Sequence, residues 1–295
     1  MTRTKKAGGV EEALSKLRAN DKRSSEQDSS PSEPTRVFDS TNARSAREHS
    51  YGGRQLDINL GNLEFCTLVS PDPNAKILTG EFTSIKQPLL RNAKTELPST
   101  HPGDNLIAVT SALDGEGKSF TSLNLGLSIA NEEDWSVVLI DGDTSKSHLT
   151  ELMNAKDEPG LIDLLQDSSL SFDSLVMPTS VPGFAFLPSG GSHDRCAELF
   201  GSERMEQICL EMAVANRRRI IIFDSAPLLM TSHASVLTSQ VGQIVLVVRA
   251  NGTPQHAVLA ARDKLDLTKA VNVLLNQASH QEGIGDYGDY YGASS

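Results

Sequence analysis

The apolar residues of this 295-residue chain are unevenly spread, and their spacing divides it into regions of different character. Val10, Ala13, Leu14 and Leu17 fall at i, i+3, i+4 and i+7, which predicts a short amphipathic helix near 10–19. From about 20 to 55 the residues are mostly Ser, Arg, Asp, Glu and Pro with few apolar positions, the composition of a disordered linker. Sustained apolar patterning begins near 60, and from 105 a strand–helix rhythm sets in. Leu106–Thr110, Val137–Ile140, Phe184–Leu187, Arg219–Phe223, Ile244–Val248 and Val271–Leu275 read as strands, the last three apolar on both faces. Helices are predicted over Ser119–Asn131, from about 147, from Leu161 and over 196–215, and Thr253-Pro254 has the form of an N-cap followed by a first-turn proline. Continuous apolar strands alternating with helices predict an α/β fold, a doubly wound and mainly parallel sheet covered on both faces.

Composition narrows the choices. The net charge of −11 is asymmetric: residues 1–54 hold 11 of the 27 Lys/Arg and 8 of the 38 Asp/Glu, so the rest of the chain is strongly acidic. Such a body is a poor nucleic-acid binder, because phosphate neutralisation dominates that affinity. Three widely spaced cysteines imply no disulfide framework, and Cys209 falls with Met205, Ile208 and Met212 at core spacing. No apolar run approaches the roughly 20 residues that span a bilayer, and the chain opens on no signal-peptide pattern, so a cytoplasmic protein is expected. The seven histidines lack paired metal-ligand spacing and no GxSxG elbow occurs, which removes zinc chemistry and serine hydrolysis.

Chemistry enters after the first strand, where Ala112–Ser119 reads ALDGEGKS and runs straight into a helix. This is a GxxxxGK[ST] phosphate loop with Ala112 at the first glycine. Gly115 and Gly117 let the backbone turn its N–H groups inward, Lys118 reaches outer phosphates, and the Ser119 hydroxyl suits Mg²⁺. Asp114, Glu116 and Phe120 complete the expected nucleotide contacts. Two other strand ends supply acids: Asp224 closes RRRIIIFD as a metal-facing aspartate, and VVLIDGD carries Asp141 and Asp143. Such a pair can hold Mg²⁺ and take a proton from an incoming hydroxyl; we expect Asp141 among the metal ligands and either acid as the base, with Asp143 slightly favoured. Asn276, after the last strand, suits a turn residue. Three of the four tyrosines, Tyr287, Tyr290 and Tyr291, sit in the closing run GDYGDYYGASS, among residues too polar to order themselves. They have the form of a substrate. Tyr51, in the linker, is an additional acceptor or nothing.

ALDGEGKS, VVLIDGD and IIIFDSAP, followed by a tyrosine cluster, resemble the nucleotide motifs and tail of the bacterial tyrosine kinases, the BY-kinases, within the MinD/ParA-like ATPase superfamily. EFTSIKQPLLRNA at 81–93, VEEALSKLR at 10–18 and LNQ at 275–277 are similar to the exosortase-associated autokinases of exopolysaccharide clusters. The resemblance implies an ATP- and Mg²⁺-dependent autokinase that phosphorylates Tyr287, Tyr290 and Tyr291 with Lys118, Asp141 and Asp143 as catalytic groups, and regulates polysaccharide export. For Asn276 it implies an adenine contact, as the alternative to a turn residue. It also implies a homo-oligomer and a separate membrane-bound chain-length determinant (polysaccharide copolymerase) that recruits the chain to the inner face of the membrane. Ser145 stands where the second motif has arginine, and Ser84 and Gln87 follow Glu81 where an oligomerisation motif has two. The expected organisation is a docking helix (1–20), a linker (21–58), a P-loop kinase domain (59–280) and a flexible tail (281–295). Two other readings share the motifs: a ParA- or MinD-like positioning ATPase, disfavoured by Leu113 where those proteins carry a lysine, and a non-catalytic ATP-binding regulator.

Overall fold

The structure, a computed structural model, describes residues 51–58, 73–94, 103–191 and 194–278. The helix read at 10–19 and the tyrosines at 287, 290 and 291 lie outside the described residues.

A seven-stranded sheet forms the centre, built from β1 (Leu106–Ser111), β2 (Ser136–Asp141), β3 (Met177–Pro178), β4 (Phe184–Leu187), β5 (Arg219–Asp224), β6 (Gln243–Arg249) and β7 (Ala270–Asn276). The order is β3-β4-β2-β5-β1-β6-β7, parallel throughout except for the β3–β4 pair. The continuous apolar runs have a simple cause. Side chains alternate across the pleat, and both sheet faces are covered. In β1, Leu106 and Ala108 enter one core while Ile107 and Val109 enter the other; Ile221 and Phe223 of β5 divide from Ile220 and Ile222 in the same way. Each fully buried Ile, Leu or Phe contributes about 1.5–3 kcal/mol of transfer free energy.

One face carries α1 (Pro73–Ala93) and α2 (Lys118–Ala130). Nearly all of α2 is buried, because it lies against the sheet while α1 covers its outer side through Phe82, Leu89 and Leu90. Lys86 of α1 fastens the pair, donating to the Ser128 carbonyl at 2.8 Å and pairing with Glu132 at 2.8 Å. The apolar spacing alone did not reveal α1, which carries Pro88 within its length. The remaining helices, short apart from α7, are α3 (His148–Leu152), α4 (Leu161–Gln166), α5 (Phe172–Leu175), α6 (Cys196–Phe200), α7 (Glu203–Ala215), α8 (Ser232–Ser239) and α9 (Gln255–Arg262).

Several expectations need correction. The helix read over 196–215 is two helices, broken at Gly201-Ser202, where the Ser202 hydroxyl accepts from the Met205 amide and starts α7 afresh. Cys209 does lie in the core with Met205, Ile208 and Met212, and burial pushes its thiol up to about 12. β7, read as apolar on both faces, is the last strand of the sheet, and it leaves Val273 and Leu275 exposed. Nor does the linker reach 58. Residues 51–58 strap onto the body: the Gly52 and Gly53 amides donate to the carbonyls of Asp173 and Val176, and Leu56 bridges Thr179 and is buried. Tyr51 packs at the edge of the core beside Arg219, which hydrogen bonds it, so it is no free phenol, and burial raises its pKa. Among the described residues no helix is long and apolar enough to cross a membrane.

Candidate active site

The strand order creates the site. β2, β5 and β1 are neighbours, and their carboxyl ends bring together segments that are far apart in the chain. Asp141 stands in register with Asp224, and Asp224 with Val109, three residues before the phosphate loop. A parallel α/β sheet puts its ligand crevice at these ends, and here a cavity of about 660 Å³ opens there.

The phosphate loop has the expected shape. Gly115 and Gly117 have φ of 75° and 91°, the left-handed region that side chains disfavour. Gly117 is the N-cap of α2 and offers no side-chain cap, which leaves the first-turn N–H groups free of side-chain acceptors. Lys118 begins the helix with its side chain almost wholly buried, 3.9 Å from Asp114. Donor N–H groups, a helix N-terminus and an ammonium group at one wall of the cavity suit a polyphosphate.

Behind the loop, the Asp224 carboxylate accepts from Ser119 Oγ at 2.6 Å and from Ser122 Oγ at 2.8 Å. Burial pushes its pKa up to about 7 and the nearby Asp141 adds to the rise, against the two serine hydrogen bonds and Lys118. Such a carboxylate gains most from a cation beside it. Ser119 and Asp224 are hard oxygen donors, and no grouping of three His, Cys, Asp or Glu able to hold a metal occurs among the described residues. That set fits Mg²⁺, which keeps several waters and takes one or two carboxylates plus substrate phosphates rather than a protein cage.

The two acids at the carboxyl end of β2 differ in their surroundings. Asp143 lines the cavity, is 6% exposed, and its Oδ1 has no hydrogen-bond partner. Asp141, expected to face the metal, is fully buried and turned to protein donors: Oδ1 accepts from the Asp143 amide at 3.3 Å, and Oδ2 from the Thr150 amide and hydroxyl at 2.8 and 2.7 Å. Burial still raises it to about 6.

Other expected contacts also shift. Asp114, Phe120 and Asn276 line the cavity. The Glu116 side chain does not. It turns back to accept the Leu113 amide at 2.6 Å and contacts the Thr253 hydroxyl, so Thr253, read as an N-cap, braces the loop instead, and Pro254 precedes α9. Asn276 donates to the Glu116 carbonyl at 2.9 Å and Gln277 to the Gly115 carbonyl at 3.3 Å, which ties the end of β7 to the loop. Lys146 was missed. It pairs with Asp114 at the cavity mouth, and this contact lowers the aspartate's pKa. Its signal was a basic residue one position beyond Ser145.

No protein-family model matches the chain. It is 27% identical over 200 residues to the tyrosine-protein kinase CpsD of Streptococcus agalactiae, a match spanning 67% of this chain and 85% of CpsD. It is also 27% identical over 146 residues to the tyrosine-protein kinase ptk of Acinetobacter johnsonii, spanning 50% of this chain but only 19% of that longer protein. Among solved structures it resembles the kinase domain of VpsO, with a TM-score of 0.57 and 25% identity, over 70% of this chain and 98% of that domain.

Proposed function

We propose that this relative of the bacterial tyrosine-protein kinases is an ATP-dependent protein-tyrosine autokinase of a polysaccharide export system, with Tyr287, Tyr290 and Tyr291 as its acceptors. One observation carries the reading: a phosphate loop with its lysine and an Asp143 carboxylate with an unpartnered, buried oxygen open into the same cavity. A phosphate loop alone suits any nucleotide hydrolase. The second feature suits a hydroxyl acceptor, since a phenol of pKa near 10 needs a base to attack at neutral pH.

Bound Mg·ATP supplies the phosphoryl group and the divalent charge that neutralises it. The backbone of 115–119 and Lys118 hold the phosphates, and Lys118 offsets the charge that builds as the phosphoryl group moves. Ser119 and Asp224 hold the metal, directly or through water. Asp143 receives the tyrosine proton at Oδ1, while Asp141 holds the loop that presents Asp143. Each phosphate added to the tail brings roughly −1.5 to −2 charges. Beside Asp286 and Asp289 these would repel the tail from an acidic body and favour its release. The partner in this reading is a separate membrane-bound chain-length determinant that recruits the kinase to the inner membrane face, and phosphorylation passes between subunits of a homo-oligomer.

Purified full-length chain incubated with Mg·ATP should yield phosphotyrosine on peptides that end the sequence, by mass spectrometry. Lys118→Met should abolish it. Phosphate-free terminal peptides in the unaltered chain, or ATP turnover without tyrosine labelling, would refute the proposal and favour a positioning ATPase.

A further inference from the structure

Asp143 is held on one side by amides beyond the second nucleotide motif and on the other by Asp141 within it. Its carbonyl accepts from the amides of Lys146 at 3.1 Å and Ser147 at 2.7 Å, and its amide donates to Asp141. Asp141 in turn is fixed by Thr150 of α3, through both amide and hydroxyl. The chain of contacts continues. The Thr150 hydroxyl oxygen accepts the Ser189 amide at 3.0 Å, and Ser189 Oγ donates to Ser147 Oγ at 2.8 Å. Ser147 has φ of 45°, a conformation uncommon for a side-chain-bearing residue, at the point where the loop enters α3. Thr150 and Ser189 are both almost wholly buried. Ser189 comes from the segment after β4, so a distant stretch of chain closes the network that the 141–150 segment builds around Asp143.

Buried hydroxyls in such a closed network are costly to leave unpaired, so the arrangement specifies one geometry. A strained residue persists only where its surroundings over-determine it. Ser147 is held by the Asp143 carbonyl on one side and the Ser189 hydroxyl on the other. Neither Thr150 nor Ser189 lines the cavity, so they cannot act on substrate directly.

We propose that Thr150 and Ser189 are positioning residues: their linked hydroxyls lock Asp141 and the 142–147 turn and thereby set where the Asp143 carboxylate stands in the cavity. The inference rests on the kinase reading for its effect on rate, though the locking itself does not. Displacing a reacting group by about 1 Å costs on the order of 100-fold in rate. Thr150→Val keeps the branched shape and removes the hydroxyl, Thr150→Ser restores it, and Ser189→Ala removes the link to Ser147.

The test compares these variants in the full chain by steady-state phosphotyrosine formation and by hydrogen–deuterium exchange. Thr150→Val should lower kcat about 10–100-fold with the KM for ATP unchanged, because the phosphate loop is untouched. Exchange should rise across 142–147 and stay protected across 115–119. Thr150→Ser should recover most of the rate, and Ser189→Ala should fall between. Unchanged exchange across 142–147 in both Thr150→Val and Ser189→Ala would overturn the inference, as would losses of kcat, ATP affinity and Tm together with no rescue by serine. If the unaltered chain labels no tyrosine, the kinase reading fails, and the exchange pattern still decides whether these hydroxyls lock the turn.

Discussion

Gly117→Ala probes how the phosphate loop is held. The residue sits at φ 91°, ψ 28°, where an L side chain costs roughly 1–2 kcal/mol. A Cβ there would also lie 2.0 Å from Asn276 Nδ2, far inside contact distance. The asparagine would have to move, which breaks its 2.9 Å hydrogen bond to the Glu116 carbonyl, worth about 1 kcal/mol. The expected total is about 2–3 kcal/mol, or roughly 4–12 °C in Tm for a body of this size. The two parts are separable. Asn276→Ala alone should cost about 1 kcal/mol, and in that background Gly117→Ala should cost only its backbone strain. The double variant should therefore fall short of the sum of the singles by about 1 kcal/mol, a coupling that a double-mutant cycle in urea resolves. Strict additivity would refute the argument. It would mean that β7 does not brace the loop through Asn276.

Two further outcomes follow from the structure. Asp224 in the folded chain titrates near 7 against an ordinary 3.8, so between those values the folded state keeps a proton that the unfolded state has lost. Its contribution to stability is therefore fully present below about pH 4 and gone above about pH 7, with Asp141 acting in the same direction; urea melts of metal- and nucleotide-free protein should show Asp224→Asn with a shallower decline from pH 4 to 7, and parallel curves would contradict the assignment. Gly53→Ala would set a Cβ 2.6 Å from the Val176 carbonyl oxygen and 2.8 Å from that of Leu175; residues 51–56 should lift from the body and trypsin should cut at Arg54 faster, and an unaltered cleavage rate would show that the strap is held otherwise.

Local chemistry explains which features were readable beforehand. A short, continuous apolar run bounded by polar and turn residues suits a strand buried on both faces, so β1, β2, β4, β5 and β6 could be read from their own residues. Gly115, Gly117, Lys118 and Ser119 are equally local, since the loop's turn and its helix start are set by adjacent dihedral angles. The strap at 51–58 left no such trace. Its order comes from backbone hydrogen bonds to the 173–178 segment, and polar, glycine-bearing residues carry no periodicity that would announce them. The exposure of Val273 and Leu275 was hidden for the opposite reason, because an apolar strand reads the same at the edge of a sheet as at its centre.

The division of labour among the acids was beyond any local reading. Asp141 and Asp143 are two residues apart and chemically identical, and the pattern DGD treats them alike. One is consumed by Thr150 and the other faces the cavity because helix α3 folds back across the end of β2, and because β5 and the post-β4 segment arrive beside it. Hydrogen-bond partners 9 residues from Asp141, and 102 and 105 residues from Asp224, settle what those carboxylates can do. Residue type and spacing supply the candidate groups, whereas a carboxylate's freedom to react depends on which donors the folded chain has already brought to it.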